Sequence, residues 1–353
     1  MSGTITINGQ VFDLKSGDTI LEVASRNGVR IPTLCYYRKV HPTGSCRICM
    51  VEIEGARNLM PACTTPASDG MVVETDTSKV HQVRKMNIEL MLAFGKHDCM
   101  VCEKNGDCVL QKLAYDYGVE RVRIDSTFEP HPIDDANPFI VRDPAKCVMC
   151  GRCVQACNEI QVNGAINFGN RGLAAKIVTM NDRPMLDPES ECVFCGECVQ
   201  ACPVGALTEK KSIGKGRAWD VKKIRTTCPY CGVGCQLWLH VNNGKIVKVT
   251  GVDNAEPNDG RLCVKGRFGF DFIYSSERLK TPLIKENGEF REASWDEALD
   301  LVADKFKESI DKYGPDSVAG VSCARSINED SYQMQKLFRS VFKTNNIDHC
   351  ART

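Results

Sequence analysis

The 353-residue sequence has no apolar run near the roughly 18 residues a membrane span needs. It therefore predicts no spanning helix. It has no net charge either, because 45 basic residues balance 45 acidic ones. That removes the case for a nucleic acid or an anionic membrane surface as partner. The opening MSGTITINGQVFDL lacks a basic n-region, an apolar h-region and a twin arginine, so the expected location is the cytoplasm. What the chain does have is cysteine, 21 residues of it. In a secreted miniprotein that content would mean disulfides. Here the chain is long and the cysteines fall in tight C-x-x-C groups, which in reducing cytosol points to metal. Nineteen lie between Cys35 and Cys263, and only Cys323 and Cys350 follow. The stretch after Cys263 must do something else.

The pattern changes along the chain. Thr4-Ile5-Thr6-Ile7, a turn at Asn8-Gly9, then Val11-Phe12 predict a β-hairpin. Thr19 to Arg26 reads as a short helix, and a cysteine loop follows, as in a β-grasp module. Residues 80–94 have helical periodicity. Residues 125–144, with four prolines and several acids, read as a linker. Residues 145–207 hold two near-copies of one cysteine motif. Residues 208–227 carry seven Lys or Arg, read as a solvated linker rather than a docking patch. Leu237 to Val241, Asn243-Gly244 and Ile246 to Val249 predict a second hairpin. Ser294 and Glu297 form a capping box. It opens a helix with Trp295, Ala298, Val302, Phe306 and Ile310 on one face, ending near Gly314-Pro315. Ser317 to Ser322 reads as one buried strand and Asn328 to Phe342 as a helix. This is the start of an α/β domain whose sheet is incomplete.

The most specific signal is the repeat. Cys147, Cys150, Cys153 and Cys157 are followed at identical spacing by Cys192, Cys195, Cys198 and Cys202, then Pro203. This is the bacterial two-cluster ferredoxin run, in which each fourth cysteine ligates the other cluster. One cluster takes Cys147, Cys150, Cys153 and Cys202. The other takes Cys192, Cys195, Cys198 and Cys157. Gly151, Gly196 and Gly205 permit close backbone approach. Zinc sites use two C-x-x-C pairs rather than such triple runs. A second group, Cys35, Cys46, Cys49 and Cys63, suits a [2Fe–2S] centre after a β-grasp hairpin, although four thiolates alone do not choose the metal. The third, Cys99, Cys102 and Cys108, is one ligand short of a cubane. Neutral His97 can complete it. The fourth, Cys228, Cys231, Cys235 and Cys263, fits a further cubane. Spacing alone leaves Lys265 open between a surface lysine and a functional one. Cys323 and Cys350 read as small buried residues, and the remaining histidines receive no role.

This order of motifs resembles a known arrangement. Residues 1–207 are similar to the N-terminal electron-transfer region shared by the complex I large iron–sulfur subunit, iron-only hydrogenases and NAD-linked formate dehydrogenases. Many of these relatives have three residues between the histidine and the first cysteine of the third group; here Asp98 stands alone. Residues 228–353 resemble the opening of a molybdopterin oxidoreductase, most closely the formate dehydrogenase α subunit. The resemblance implies an α+β multidomain fold. Residues 1–78 would be a β-grasp [2Fe–2S] domain. Residues 79–124 would be a [4Fe–4S] domain with one histidine and three cysteine ligands. Residues 138–208 would be a two-cluster ferredoxin domain and 221–280 a molybdopterin oxidoreductase [4Fe–4S] domain. Residues 281–353 would begin that family's α/β domain.

The same resemblance implies one [2Fe–2S] and four [4Fe–4S] clusters. It also implies molybdenum or tungsten bis(molybdopterin guanine dinucleotide) in the full-length enzyme, with Lys265 between the fourth group's cluster and one pterin. The implied partner is a flavin- and NAD(P)-binding iron–sulfur subunit of the complex I or hydrogenase diaphorase type, or a ferredoxin. Electrons would leave the pterin past Lys265 to the Cys228 cluster, then the ferredoxin pair, then the His97 and Cys35 clusters. The segment Thr344 to Arg352 looks like the family stretch leading to the metal-ligating selenocysteine or cysteine. A formate dehydrogenase α subunit ending after Thr353 at a UGA codon is the expectation. No catalytic residue is then expected within the chain. A non-catalytic relay subunit and a zinc-rich structural protein are the alternatives.

Overall fold

A computed structural model describes residues 3–126 and 131–350. Part of the expected linker (127–130) and the final residues 351–353 lie outside the described residues. The chain divides into two units, 1–222 with 240–248, and 223–239 with 249–353. Among the described residues no helix is long and apolar enough to cross a membrane.

The first unit opens with the expected hairpin, β1 (Thr4–Ile7) and β2 (Gln10–Asp13). Positive φ at Asn8 and Gly9 gives the turn the twist a two-residue hairpin needs. Helix α1 (Ile20–Arg26) starts at a full capping box between Thr19 and Glu22. Strands β3 (Met50–Ile53), β4 (Met60–Pro61) and β5 (Met71–Glu74) complete a sheet of order β2-β1-β5-β3-β4, with β1 and β5 parallel. Ile20, Leu21, Val23 and Ala24 of α1 pack on Ile5, Ile7, Val51 and Val73, and Cys49 and Cys63 belong to the same core. Helix α2 (Ser78–Ala93) is capped by Thr77 and is followed by α3 (Val109–Asp116).

The expected linker 125–144 is in part ordered structure. Its end is strand β6 (Ile140–Arg142), followed by a turn of 3-10 helix over Pro144–Lys146. The cysteine repeat then supplies α4 (Arg152–Gln155), the hairpin β7 (Asn167–Gly169) and β8 (Lys176–Val178), and α5 (Glu197–Ala201). Strand β9 (Leu207–Glu209) returns antiparallel to β6. That pairing makes a strand of Ile140-Val141-Arg142 at the end of a stretch rich in prolines and acids: β6 needed a partner 67 residues away, which local composition does not report. The basic stretch 208–227 is likewise not a free linker. Arg217 donates to the carbonyls of Cys102 and Met100, and the last residues form strand β10 (Lys222–Thr227).

Strands β10, β11 (Gln236–Asn242) and β12 (Lys245–Gly251) form a three-stranded sheet in that order, and the second predicted hairpin is β11–β12. In the second unit α6 (Val264–Phe268) follows Cys263. A hairpin of β13 (Leu283–Glu286) and β14 (Glu289–Glu292) leads to α7 (Trp295–Tyr313). Ser294 caps α7, but the capping box is half made: Glu297 turns its carboxylate to Arg291 instead of the Ser294 amide. The predicted buried strand is shorter and more open, β15 (Gly320–Ser322), with Val321 exposed. It is not alone, because α8 (Asn328–Lys336) and a π-helical turn over Leu337–Phe342 lead to a parallel neighbour, β16 (Ile347–His349). Cys323 and Cys350 follow those two strands, and they are not buried. The strand pairing brings their sulfurs to 3.5 Å instead.

Candidate metal centres

The β-grasp fold gathers the first four thiols. Cys35 and Cys46 lie in the long loop after α1, Cys49 just before β3, and Cys63 just after β4. All four are buried. The Cys46 sulfur accepts backbone N–H groups from Cys35 at 3.4 Å and Ile48 at 3.5 Å. Thiol contacts with Cys35, then burial, push Cys46 up; Cys63 rises through its contacts with Cys35 and Cys49. Four buried thiols linked through contacts of Cys35 with Cys46 and Cys63, and of Cys63 with Cys49, cannot all ionise on their own. A bound cation or cluster removes that conflict.

The sequence repeat is also a repeat of backbone conformation. Met149 and Phe194 share φ near 50°, and Gly151 and Gly196 share φ of 76° as N-caps of α4 and α5. The electrostatic neighbours reach between the two runs, with Cys198 feeling Cys202 and Cys153 feeling Cys198 as well. Cys147, Cys150 and Cys153 each feel Cys202, while Cys192 and Cys198 feel Cys157. Burial is the first cause of every shift here. It pushes Cys147 up to about 11 and Cys150 up to about 12, with Cys153 and Cys198 also well raised. Cys147, Cys150, Cys153 and Cys202 line one cavity with Ile166, Ile177 and Leu207.

His97 joins Cys99, Cys102 and Cys108 around a single cavity, closed by Val204, Gly205 and Lys146. Burial lowers the His97 pKa, which favours the neutral ring a metal requires. Its Nε2 is 3.0 Å from the Met91 carbonyl, so Nδ1 is the nitrogen left for a metal. Gly205 is required by contact: a Cβ there would stand 2.6 Å from the Cys102 sulfur. Sequence reasoning missed Arg217, which ties down the Cys102 carbonyl, and Trp219, whose ring covers Gly106. Their signal was an Arg and a Trp inside a stretch otherwise typical of solvent.

Both of these sites adjoin the Cys147 group. Ser45 donates to the Cys150 carbonyl at 3.4 Å, and Arg152 donates to the Leu34 carbonyl and lies 4.6 Å from the Tyr37 ring centre. On the other side, Val204 lines the Cys147 cavity and the His97 cavity alike.

In the second unit Cys228, Cys231, Cys235 and Cys263 are mutual electrostatic neighbours, with burial the first cause of the raised Cys228 and Cys235. The Cys228 amide donates to the Cys235 carbonyl at 2.8 Å. Asn328, at the start of α8, donates to the Gly232 carbonyl at 2.8 Å and holds the loop from outside. Tyr230 donates to the Gly269 carbonyl. Lys265 stands exposed on α6. The described residues do not enclose it, so they do not by themselves fit a pterin.

Among the described residues, no three ligand-type side chains close on a point that one metal ion could fill. A cluster core is larger than an ion and spreads its thiolates. The desolvated thiols, the amides aimed at sulfur and the Gly205 contact fit iron–sulfur cores. These features define an iron–sulfur electron-transfer protein.

Comparison with known proteins agrees. A 2Fe-2S iron–sulfur cluster binding domain matches residues 3–78, and the NADH-ubiquinone oxidoreductase-G iron–sulfur binding region matches 84–123. A 4Fe-4S dicluster domain matches 146–206. The molybdopterin oxidoreductase Fe4S4 domain matches 221–275, and the molybdopterin oxidoreductase model matches 278–353. The chain thus combines an iron–sulfur region of the NADH-ubiquinone oxidoreductase-G type with the start of a molybdopterin oxidoreductase domain.

It is 40% identical over 349 residues to an NADPH-Fe(3+) oxidoreductase alpha subunit of Geobacter sulfurreducens, covering 99% of this chain and 40% of that one. It is 37% identical to the G 2 subunit of an NADH-quinone oxidoreductase of Rhizobium meliloti, with the same coverage. A Bacillus subtilis protein provisionally named formate dehydrogenase is 34% identical over 391 residues, again covering 99% and 40%. Among solved structures, an NAD+-reducing [NiFe]-hydrogenase chain is 32% identical with a TM-score of 0.56, covering 61% of this chain and 91% of that one. The chain spans about 40% of the length of the curated relatives it matches.

Proposed function

We propose that this chain is the iron–sulfur portion of a formate dehydrogenase that passes electrons from formate oxidation to an NAD(P)-linked flavin subunit. The observation that carries the electron-transfer part is the gathering of twenty ligand candidates into five groups within one chain. Iron–sulfur clusters, when bound, take up and release single electrons. The chain's own residues do the rest. Cys35, Cys46, Cys49 and Cys63 hold a [2Fe–2S] core, with the Ile48 amide on the Cys46 sulfur. His97 with Cys99, Cys102 and Cys108 holds one [4Fe–4S] core; the crossed sets of Cys147 and Cys192 hold two more. Cys228, Cys231, Cys235 and Cys263 hold the last, and Lys265 lies two residues beyond it. Such thiolates, amide contacts and burial set each potential.

Formate as substrate rests on the Bacillus relative and on the molybdopterin domain match. The NAD(P)-linked partner rests on the names of the Geobacter, Rhizobium and hydrogenase relatives. Those same names favour a second reading, a relay subunit with no chemistry of its own. The test is anaerobic EPR on the assembled enzyme. Formate alone reduces the centres if the first reading holds. Reduction by NADH or NADPH with no response to formate leaves only the relay.

A further inference from the structure

The His97 cavity contains a cation that the ligand set does not explain. Lys146 lines it beside His97, Cys99, Cys102 and Cys108. Its side chain is 26% exposed, and its ammonium pairs with Asp143 at 2.9 Å. Asp143 in turn accepts the Ala145 amide at 3.1 Å and fixes the turn that carries Lys146. Gly205 admits the lysine stem: a Cβ there would meet Lys146 Cδ at 3.4 Å as well as the Cys102 sulfur. Burial opposes the charge on the ammonium, and the Asp143 carboxylate beside it sustains that charge. The next residue in the chain is Cys147, a ligand candidate of the neighbouring group. The half-buried cation lines the His97 cavity and stands one residue before that second site. Lys104 and Asp98 also line the cavity, but each is paired outward, to Asp107 at 3.1 Å and to Lys96 at 3.7 Å.

We propose that Lys146 is an electrostatic positioning residue that raises the reduction potential of the His97 centre and, more weakly, of the Cys147 centre. A fixed positive charge beside a redox centre favours the more negative, reduced form, and a partly buried charge is poorly screened. The inference rests on reading these groups as iron–sulfur centres.

The test is an EPR-monitored redox titration of the anaerobically purified chain. Lys146→Met keeps the stem and removes the charge; the midpoint of the His97 centre falls most, the Cys147 centre less, and the Cys35 centre holds. Lys146→Arg restores the midpoints. Asp143→Asn, which keeps the cap and removes the opposing carboxylate, shifts the His97 centre upward. Unmoved midpoints in Lys146→Met with iron content intact overturn the proposal, as does an equal shift at every centre. Wild-type protein without iron overturns the cluster reading itself, before Lys146 is at issue.

Discussion

Helices α2 and α7 invert the usual expectation. The sequence of α7 has the cleaner apolar stripe, Trp295, Ala298, Val302, Phe306 and Ile310, yet none of its residues is buried. Trp295 is 68% exposed and Val302 51%. Helix α2 has a weaker stripe, yet it buries Val80, Arg84, Ile88 and Glu89. The difference lies in what the rest of each unit supplies. In the first unit a five-stranded sheet, α1 and buried thiols form one core, and α2 packs against strand β3 of that sheet and against α3. In the second, β15 and β16 make a sheet of two strands. A stripe states what a helix can bury; only the neighbours decide what it does bury.

If thiols organise the first unit as this contrast requires, removing them in pairs reads out the wiring. Cys157→Ala with Cys192→Ala strikes one centre in the crossed scheme and should lose about four irons per chain. Cys157→Ala with Cys147→Ala strikes two and should lose about eight. Iron analysis and EPR on anaerobically purified variants check this. The reverse pattern, about eight irons lost without Cys157 and Cys192 and about four without Cys157 and Cys147, would mean that the runs are not crossed.

The next effects belong to α2. Ile88 is fully buried, so Ile88→Ala should cost about 2–5 kcal/mol. Arg84 is 2% exposed and donates to the Met50 carbonyl at 2.7 Å and to Tyr117 Oη at 3.0 Å, joining α2 to β3 and the end of α3. Arg84→Met keeps most of the volume but orphans a carbonyl and a hydroxyl, at a cost of about 1–3 kcal/mol. Urea unfolding of the first unit, followed by its visible absorbance under anaerobic conditions, measures both. A neutral Arg84→Met would mean that water replaces the guanidinium and that α2 is less closed than the contrast holds.

These contacts also mark what the sequence made legible. Features set by a few adjacent residues were readable: the Asn8-Gly9 and Asn243-Gly244 turns, the Thr19 capping box, and the cysteine spacings. Asn287-Gly288 carries the same turn signal and forms β13–β14, but the flanking residues are too polar to advertise strands. Features set by distant partners were not readable. Strand β6 exists because β9 comes back to it, Arg217 matters because Cys102 and Met100 are across from it, and the two late cysteines meet because β15 and β16 are parallel neighbours. The half-made capping box at Ser294 is a third kind of miss. The local pattern was correct, but Arg291 offered Glu297 a charged partner in place of a neutral amide, and charge-assisted pairs are the stronger.

The smallest expected effect is the one that tests α7 directly. Val302→Ala removes two methyl groups from a side chain that is already half in solvent, so little transfer energy is lost. The same change raises intrinsic helix propensity by up to about 0.5 kcal/mol, because a β-branched side chain gives up rotamer freedom in a helix. The two terms oppose each other, and the net change should stay within about 0.5 kcal/mol. Ile310, farther along the same stripe, is only half-buried, so Ile310→Ala should cost less than Ile88→Ala in α2. Denaturant titration of the isolated chain, followed by hydrogen exchange in residues 295–313, reports both. A loss above about 1 kcal/mol for Val302→Ala would show that the stripe is covered in solution. The contrast between the helices would then reflect what covers α7, not how few strands lie beneath it.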